Sequence, residues 1–160
     1  MYISLPAGPV DVQRHLSTIV PAIDTERYTI TNAKFLNAAL LRDANSESDV
    51  VAAAAAAEIT PNEVWHITLL SNKRYTIQNY GAASFATCRF RATKGDNVVG
   101  GACSQQWLIL ESRIDGRYII SPLNADLCWG LKDDENDTPV TLASTPRDLK
   151  NQWIFCKVSM

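Results

Sequence analysis

Few side chains in this 160-residue sequence have the reactivity and spacing that catalysis or metal binding requires. The two histidines, His15 and His66, have no serine, cysteine or aspartate at the spacing of a nucleophile motif. The four cysteines form no CxxC pair, which argues against a metal cage and favours buried free thiols over a disulfide framework; they are Cys88, Cys103, Cys128 and Cys156. We therefore expect a protein with no catalytic residue, no metal and no cofactor, which is not an enzyme.

Charge and hydropathy narrow the expected partners. Fifteen basic and seventeen acidic residues give a net charge of -2, and no cluster of lysine and arginine is long enough to follow a phosphate backbone. No apolar stretch approaches the roughly 20 residues of a membrane span, and the N-terminus lacks a basic start followed by an apolar run. The sequence therefore predicts a cytoplasmic protein that binds neither nucleic acid nor membrane.

The sequence contains an internal repeat, which indicates the structural elements that would carry a binding site. The tetrapeptide RYTI stands at 27–30 and again at 74–77, and RYII follows at 117–120. Each copy precedes a tryptophan, since Trp65, Trp107 and Trp153 follow the arginines of their copies by 38, 33 and 36 residues. A unit of this length that recurs three times indicates a repeat architecture.

Each unit predicts four short strands. Its apolar segments alternate with the period of β-structure and are separated by turn formers. The alanines of residues 52–57 favour helix by local propensity, but the alignment of Val50 with Val98 and Val140 places a third strand there, followed by a loop. One such unit cannot bury its apolar face alone, whereas three units around a pseudo-threefold axis share one core. We therefore predict an all-β fold, a β-trefoil of twelve strands, with the repeated tyrosines and tryptophans facing the barrel interior.

The third unit carries a family resemblance. Residues 127–155, LCWGLKDDENDTPVTLASTPRDLKNQWIF, resemble one repeat of a ricin B-type trefoil, and QQW at 105–107 keeps the Gln-x-Trp of that family. Over residues 27–158 the chain is similar to the small mushroom β-trefoil proteins, which include cytosolic lectins and cospin-like serine protease inhibitors. Because the sequence offers no catalytic group, we expect a domain that binds its partner through loops.

The N-terminal segment departs from that family. LPAG at 5–8 is separated by eighteen residues from RYTI, and the family resemblance implies that these pieces are adjacent. We interpret residues 1–26, which include His15, as an arm with a possible insertion. Residues 27–160 then form a single domain with repeats at 27–71, 72–113 and 114–160.

The first functional hypothesis is inhibition of a trypsin-like serine protease. The resemblance to cospin-like inhibitors places the reactive bond between the second and third strands of the first unit. This stretch is free of glycine, which favours a loop held in a substrate-like form. Asn45 is the expected P1 residue, with Arg42 as the basic alternative, in a reactive loop of Arg42, Asp43, Ala44, Asn45, Ser46 and Glu47.

The alternative hypothesis is a ricin B-like lectin whose partner is a glycan. Where the family has Leu-Cys-Leu-Asp, this chain has LCWG at 127–130, so the carboxylate of a ricin-type site is missing. Trp129 is either a stacking platform for a sugar or a packed residue of the barrel or its cap. In the first case Asn124, Asp126 and Asn136 are the expected polar contacts.

Overall fold

The computed structural model describes residues 23–54 and 56–159, which contain twelve strands and two 3-10 turns. The strands are β1 (Glu26–Asn32), β2 (Ala38–Leu40), β3 (Val51–Ala53), β4 (Val64–Leu69), β5 (Tyr75–Asn79), β6 (Phe85–Thr87), β7 (Val99–Gly101), β8 (Trp107–Glu111), β9 (Tyr118–Pro122), β10 (Cys128–Gly130), β11 (Thr141–Ala143) and β12 (Trp153–Lys157). The 3-10 turns are η1 (Pro61–Glu63) and η2 (Leu149–Asn151). His15 and most of the proposed arm lie outside the described residues. Within the described ranges, no helix is long and apolar enough to cross a membrane.

Six strands close a barrel. β1 pairs with β4 and β12, β5 with β4 and β8, and β9 with β8 and β12, always antiparallel. The other six strands form the hairpins β2–β3, β6–β7 and β10–β11, which cap the barrel. Because the ring is closed, the barrel strands leave no unpaired edge.

Pseudo-threefold symmetry relates the units at two levels. The tyrosine that begins each unit pairs across strands with a tryptophan: Tyr28 with Trp65, Tyr75 with Trp107, and Tyr118 with Trp153. A triangle of backbone hydrogen bonds of 2.8 to 2.9 Å joins the three hairpins: Val50 N–H to Val98, Val98 N–H to Val140, and Val140 N–H to Val50. The predicted β-trefoil with three fourfold units is therefore confirmed.

The core is built around tryptophan. Each barrel tryptophan is buried and donates its indole N–H, at 2.9 to 3.0 Å, to a hairpin carbonyl: Trp65 to Ala39, Trp107 to Ala86, and Trp153 to Trp129. Trp129 thus takes the place that alanine has in the other units, and it is itself fully buried. Its ring packs edge-to-face against Trp107 and Trp153, with centroids 5.5 and 6.2 Å away.

The alanine run folds as the repeat predicts. Ala52 and Ala53 lie in β3 and pair with Ala39 and Ala38 of β2. The described alanines beyond Ala53 belong to the loop that leads to η1. Pairing with a neighbouring strand therefore overrides the helix propensity of alanine in this segment.

Candidate functional site

The three units differ most in the connection that leads into their last strand. In the first unit, residues 54–63 contain η1, and in the third unit, residues 144–152 contain η2. In the second unit, only residues 102–106 join β7 to β8, and they form no 3-10 turn. The second unit therefore lacks a structural element that the other two units place against the next unit.

An asparagine holds each 3-10 turn in place. Asn79, the last residue of β5, donates its Nδ2–H to the carbonyl of Asn62 in η1 at 2.9 Å. Asn32, the last residue of β1, donates in the same way to Lys150 in η2 at 2.8 Å. The last residue of β9 is Pro122, which has neither a side-chain amide nor a backbone N–H. The asparagine is therefore absent at the place where its partner turn is missing.

Gln105 replaces one hydrogen bond of the missing turn. In the other units, a backbone N–H bonds a turn carbonyl at 3.1 Å: Leu41 to Asn62 and Leu131 to Lys150. In the second unit, the equivalent N–H of Cys88 is accepted at 2.9 Å by the side-chain Oε1 of Gln105. Its Nε2–H contacts Cys88 Sγ at 3.3 Å. Gln105 satisfies the backbone but does not fill the volume of a 3-10 turn.

The unfilled volume is a cavity of about 740 Å³, a size typical of ligand pockets. Three segments form its walls: residues 88–93 of the β6–β7 loop, Gln105 and Gln106 before β8, and residues 122–125 at the end of β9. The cavity, which we name the second-unit pocket, therefore lies at the junction between the second and third units.

The second-unit pocket combines an aromatic ring with amide groups. Phe90 is 84% exposed, and an aromatic face presented in this way at the wall of a cavity is a stacking surface. Gln106 accepts a hydrogen bond from Asn72 Nδ2 at 3.1 Å through its Oε1 atom, so its NH₂ group remains as a donor. Asn124 is exposed and contributes a second amide.

The charged residues of the pocket wall are Arg89 and Arg91. Arg89 Nε lies 3.2 Å from Asp96 Oδ2, an oxygen that also accepts the Thr93 N–H at 2.9 Å. Burial raises the pKa of the Cys88 thiol, and the charge of Asp96 adds to the rise, against a lowering by the hydrogen bond from Gln105. The thiol is therefore neutral at pH 7, and the pocket offers stacking, hydrogen bonding and positive charge rather than a nucleophile.

The residues predicted for a glycan site in the third unit do not come together. Trp129 is completely buried, so the prediction that it stacks on a sugar is wrong. Asn124 lines the second-unit pocket, whereas Asp126 lines a separate cavity of about 130 Å³. The Oδ1 atom of Asn136 accepts the N–H of Ala54 at 2.8 Å and links the third unit to the first.

The missing carboxylate of the third unit has a steric reason. A Cβ atom at Gly130 would lie 2.1 Å from Oδ1 of Asn151, so that amide occupies the space an aspartate would need. Asn151 is buried and donates through Nδ2 to the carbonyl of Thr145 at 2.9 Å. The third unit therefore uses this position for packing.

The predicted reactive loop is exposed from residue 42 to residue 47, as expected, but it is not extended. The Ser48 N–H bonds the carbonyl of Asn45 at 3.2 Å, and Glu47 has a φ of 64°, so residues 45–48 form a turn. Asp43 accepts hydrogen bonds from the Ser48 hydroxyl and the Asn45 N–H, and these bonds lower the pKa of Asp43. The expected substrate-like form around Asn45 is not found.

Arg42, the basic alternative for P1, is engaged within the protein. Its Nε–H donates to Oδ1 of Asp137 at 3.0 Å, and its NH2 group contacts the same oxygen. Asp137 belongs to the third unit, so this ion pair bridges two hairpins. The guanidinium would have to leave its partner before it entered a protease pocket.

Sequence reasoning missed the second-unit pocket and the residues that define it: Phe90, Arg91, Gln105, Gln106 and Pro122. Two signals were present. The tryptophan of the second unit follows its arginine by 33 residues, against 38 and 36 in the others, which marks the shortened connection. Pro122 also stands where the other units have Asn32 and Asn79.

Comparison with known proteins identifies the fold class. No family model and no curated protein sequence matches the chain. Among solved structures, it is similar to the Macrolepiota procera ricin B-like lectin in complex with lactose, with a TM-score of 0.76 and 18% identity over 86% of this chain and 99% of that one.

Two further structures have the same fold. The Rhizoctonia solani agglutinin gives a TM-score of 0.78 and 17% identity over 86% of this chain and 98% of that one. The designed threefold symmetric protein ThreeFoil gives 0.75 and 16% identity over 82% and 99%. At these identities the likeness establishes the β-trefoil fold.

Proposed function

We propose that this chain is a glycan-binding protein, not an enzyme, and that the second-unit pocket is its binding site. The observation that carries the proposal is the exposed ring of Phe90 at the wall of a cavity that also contains amide donors. A pyranose has one apolar face and a rim of hydroxyls, so it requires a flat apolar surface next to directional hydrogen-bonding groups. Phe90 supplies the surface, and Gln106 and Asn124 supply the groups.

The structural neighbours support the same class of ligand. The Macrolepiota procera protein is a lectin bound to lactose, and the Rhizoctonia solani protein is an agglutinin. Fold alone does not determine function, because one fold hosts many sites. The proposal therefore rests on the pocket, and the neighbours favour a glycan over other small polar molecules as its ligand.

A glycan array followed by calorimetry with the best ligand tests the proposal. We expect Phe90→Ala to weaken binding at least tenfold, which corresponds to about 1.4 kcal/mol, because the stacking surface is lost. Phe90 is exposed, so its removal leaves the core intact, and the thermal midpoint should not change.

Tyr80 provides a matched control. Its ring is 41% exposed, lies beneath the Arg27 guanidinium at 4.6 Å and is not part of the pocket. We expect Tyr80→Ala to bind like the unmodified protein. An array without signal would overturn the proposed function, and a loss of binding in Tyr80→Ala alone would place the site elsewhere.

Inhibition of a serine protease is the second candidate, and one observation favours it. The loop of residues 42–47 is exposed and fixed by the hydrogen bonds to Asp43, so it would lose little conformational entropy on binding. The turn at Asn45 opposes this function, because residues next to a scissile bond are extended in a protease cleft. Titration of trypsin and chymotrypsin decides the question, and undiminished protease activity at excess protein would exclude it.

A further inference from the structure

The charge of the second-unit pocket suggests which glycans it accepts. Its wall contains two arginines and no carboxylate, although the whole chain has a net charge of -2. Arg89 is partly neutralised by Asp96, at 3.2 Å. Arg91 is exposed, and among the described residues no carboxylate lies within salt-bridge distance of its guanidinium.

The other units have no arginine at the position of Arg91, which corresponds to Ala44 and Asp134 when residues are counted from the paired strands. Strand pairing aligns Ala39, Ala86 and Trp129, which makes Arg42, Arg89 and Lys132 equivalent. The second hairpin loop, residues 88–98, is one residue longer than 41–50 and 131–140. Arg42, the first-unit equivalent of Arg89, is bound to Asp137, so the first hairpin loop presents no guanidinium comparable to that of Arg91.

We propose that the second-unit pocket binds a glycan that carries a carboxylate, and that Arg91 recognises this group. The inference rests on the proposed function. A guanidinium presents two parallel N–H groups that match the two oxygens of a carboxylate. With Phe90 against the apolar face of the sugar, Gln106 and Asn124 at its hydroxyls and Arg91 at its carboxylate, a sugar acid offers a partner to all four side chains. A neutral sugar offers no anion to the guanidinium.

Paired probes test the inference by calorimetry at low and high salt: sialyllactose against lactose, and methyl glucuronide against methyl glucoside. We expect the acidic member of at least one pair to bind tenfold or more tightly than the neutral one, and salt to weaken only the acidic member. Arg91→Gln should weaken the acidic sugar at least tenfold, while Arg91→Lys should keep part of the affinity, since the charge remains and the paired geometry is lost.

Arg113 provides the control, because it is exposed and lies in the β8–β9 connection, outside the pocket. Arg113→Gln should bind both members of each pair like the unmodified protein. Equal affinity for acidic and neutral sugars, with loss in Phe90→Ala, would overturn this inference and leave the proposed function standing. Failure of all four probes together with a silent array would overturn both. A sulfated lactose that binds as tightly as sialyllactose would overturn the assignment to a carboxylate.

Discussion

The junction between the first and second units and the junction between the second and third units are formed by equivalent pairs of barrel strands, β4–β5 and β8–β9, but they differ in what fills them. At the first, η1 fills the space, and Asn79 ties it down through a 2.9 Å hydrogen bond to Asn62. At the second, the turn is missing, Pro122 replaces the asparagine, and a cavity of about 740 Å³ remains. A pocket on a symmetric frame can therefore arise by loss of an element, because β8 keeps both of its barrel neighbours, β5 and β9, without the turn.

The second unit lacks the 3-10 turn, and two residues around the gap also differ from their counterparts in the other units. Removal of a turn would leave two buried groups without partners, the N–H of Cys88 and an asparagine amide at the end of β9. Gln105 accepts the Cys88 N–H at 2.9 Å through its side chain. Pro122 stands at the end of β9 in place of the asparagine, so no amide is left there without a partner. The pocket is therefore a satisfied structure and not a packing defect.

The largest expected effect comes from making the two junctions alike. Replacing residues 102–106 with the third-unit sequence of residues 144–152, together with Pro122→Asn, restores both a 3-10 turn and the asparagine that hydrogen-bonds to it. We expect glycan binding to fall at least tenfold because the turn occupies the pocket, while thermal unfolding stays cooperative. Calorimetry and a thermal melt measure the two quantities.

Pro122→Asn without the graft separates the two changes. Its amide has no turn carbonyl to bind, so the protein should be less stable, but the opening remains and glycan binding should persist. Undiminished glycan binding by the grafted chain, with a cooperative melt, would show that the second-unit pocket is not the binding site. The comparison between the junctions would then concern packing alone.

A smaller effect, on stability, distinguishes the residues at the ends of β5 and β9, Asn79 and Pro122. Asn79 is 1% exposed, donates to Asn62 and accepts the N–H of Ala82 at 2.9 Å. We expect Asn79→Ala to reduce the free energy of unfolding by about 1 to 3 kcal/mol, because buried partners are left unpaired. Pro122→Ala should cost less than about 1 kcal/mol, mainly through the greater freedom of the unfolded chain. Urea denaturation measures both, and equal losses would show that Asn79 is not a structural tie.

The fold could be predicted from the sequence because symmetry repeats its physical requirements. Each unit must supply one Tyr-Trp pair to the barrel and one valine to the triangle of hairpins, so the same residues recur at similar spacing. The four cysteines are free in the structure, but the prediction that they are buried is wrong for Cys103 and Cys156, which are exposed.

The site was harder to predict because it depends on differences between units. In the sequence, Trp129 fits either a stacking platform or a packed residue. Only its complete burial and the hydrogen bond that its carbonyl accepts from Trp153 show that it fills the core. Gln105 matches the Gln-x-Trp motif of the ricin B-type family, but its side-chain oxygen takes the place of the turn carbonyl that the other units use. A pocket formed by missing residues leaves no motif, and spacing alone does not report which side chains then face the space.

The smallest expected effect concerns the position two residues before each barrel tryptophan, which is Glu63, Gln105 and Asn151 in the three units. Only the first is a carboxylate. Glu63 is 8% exposed, and burial raises its pKa, against a lowering by a hydrogen bond from the Thr60 side chain. Because the folded state holds the proton more tightly than the unfolded one, stability falls as pH rises through the ordinary glutamate pKa and up to the raised one.

Glu63→Gln should therefore stabilise the protein at pH 7 by less than about 1 kcal/mol, since an amide accepts the same hydrogen bond without an ionisation cost. The gain should disappear as pH falls below about 4, where the carboxyl group of the parent protein is protonated in both states. Urea denaturation at several pH values measures it, and Glu58→Gln, which removes an exposed charge from the same connection, corrects for net charge. A less stable Glu63→Gln at pH 7 would mean that the first-unit turn uses the carboxylate charge, and that the three positions are equivalent in place but not in chemistry.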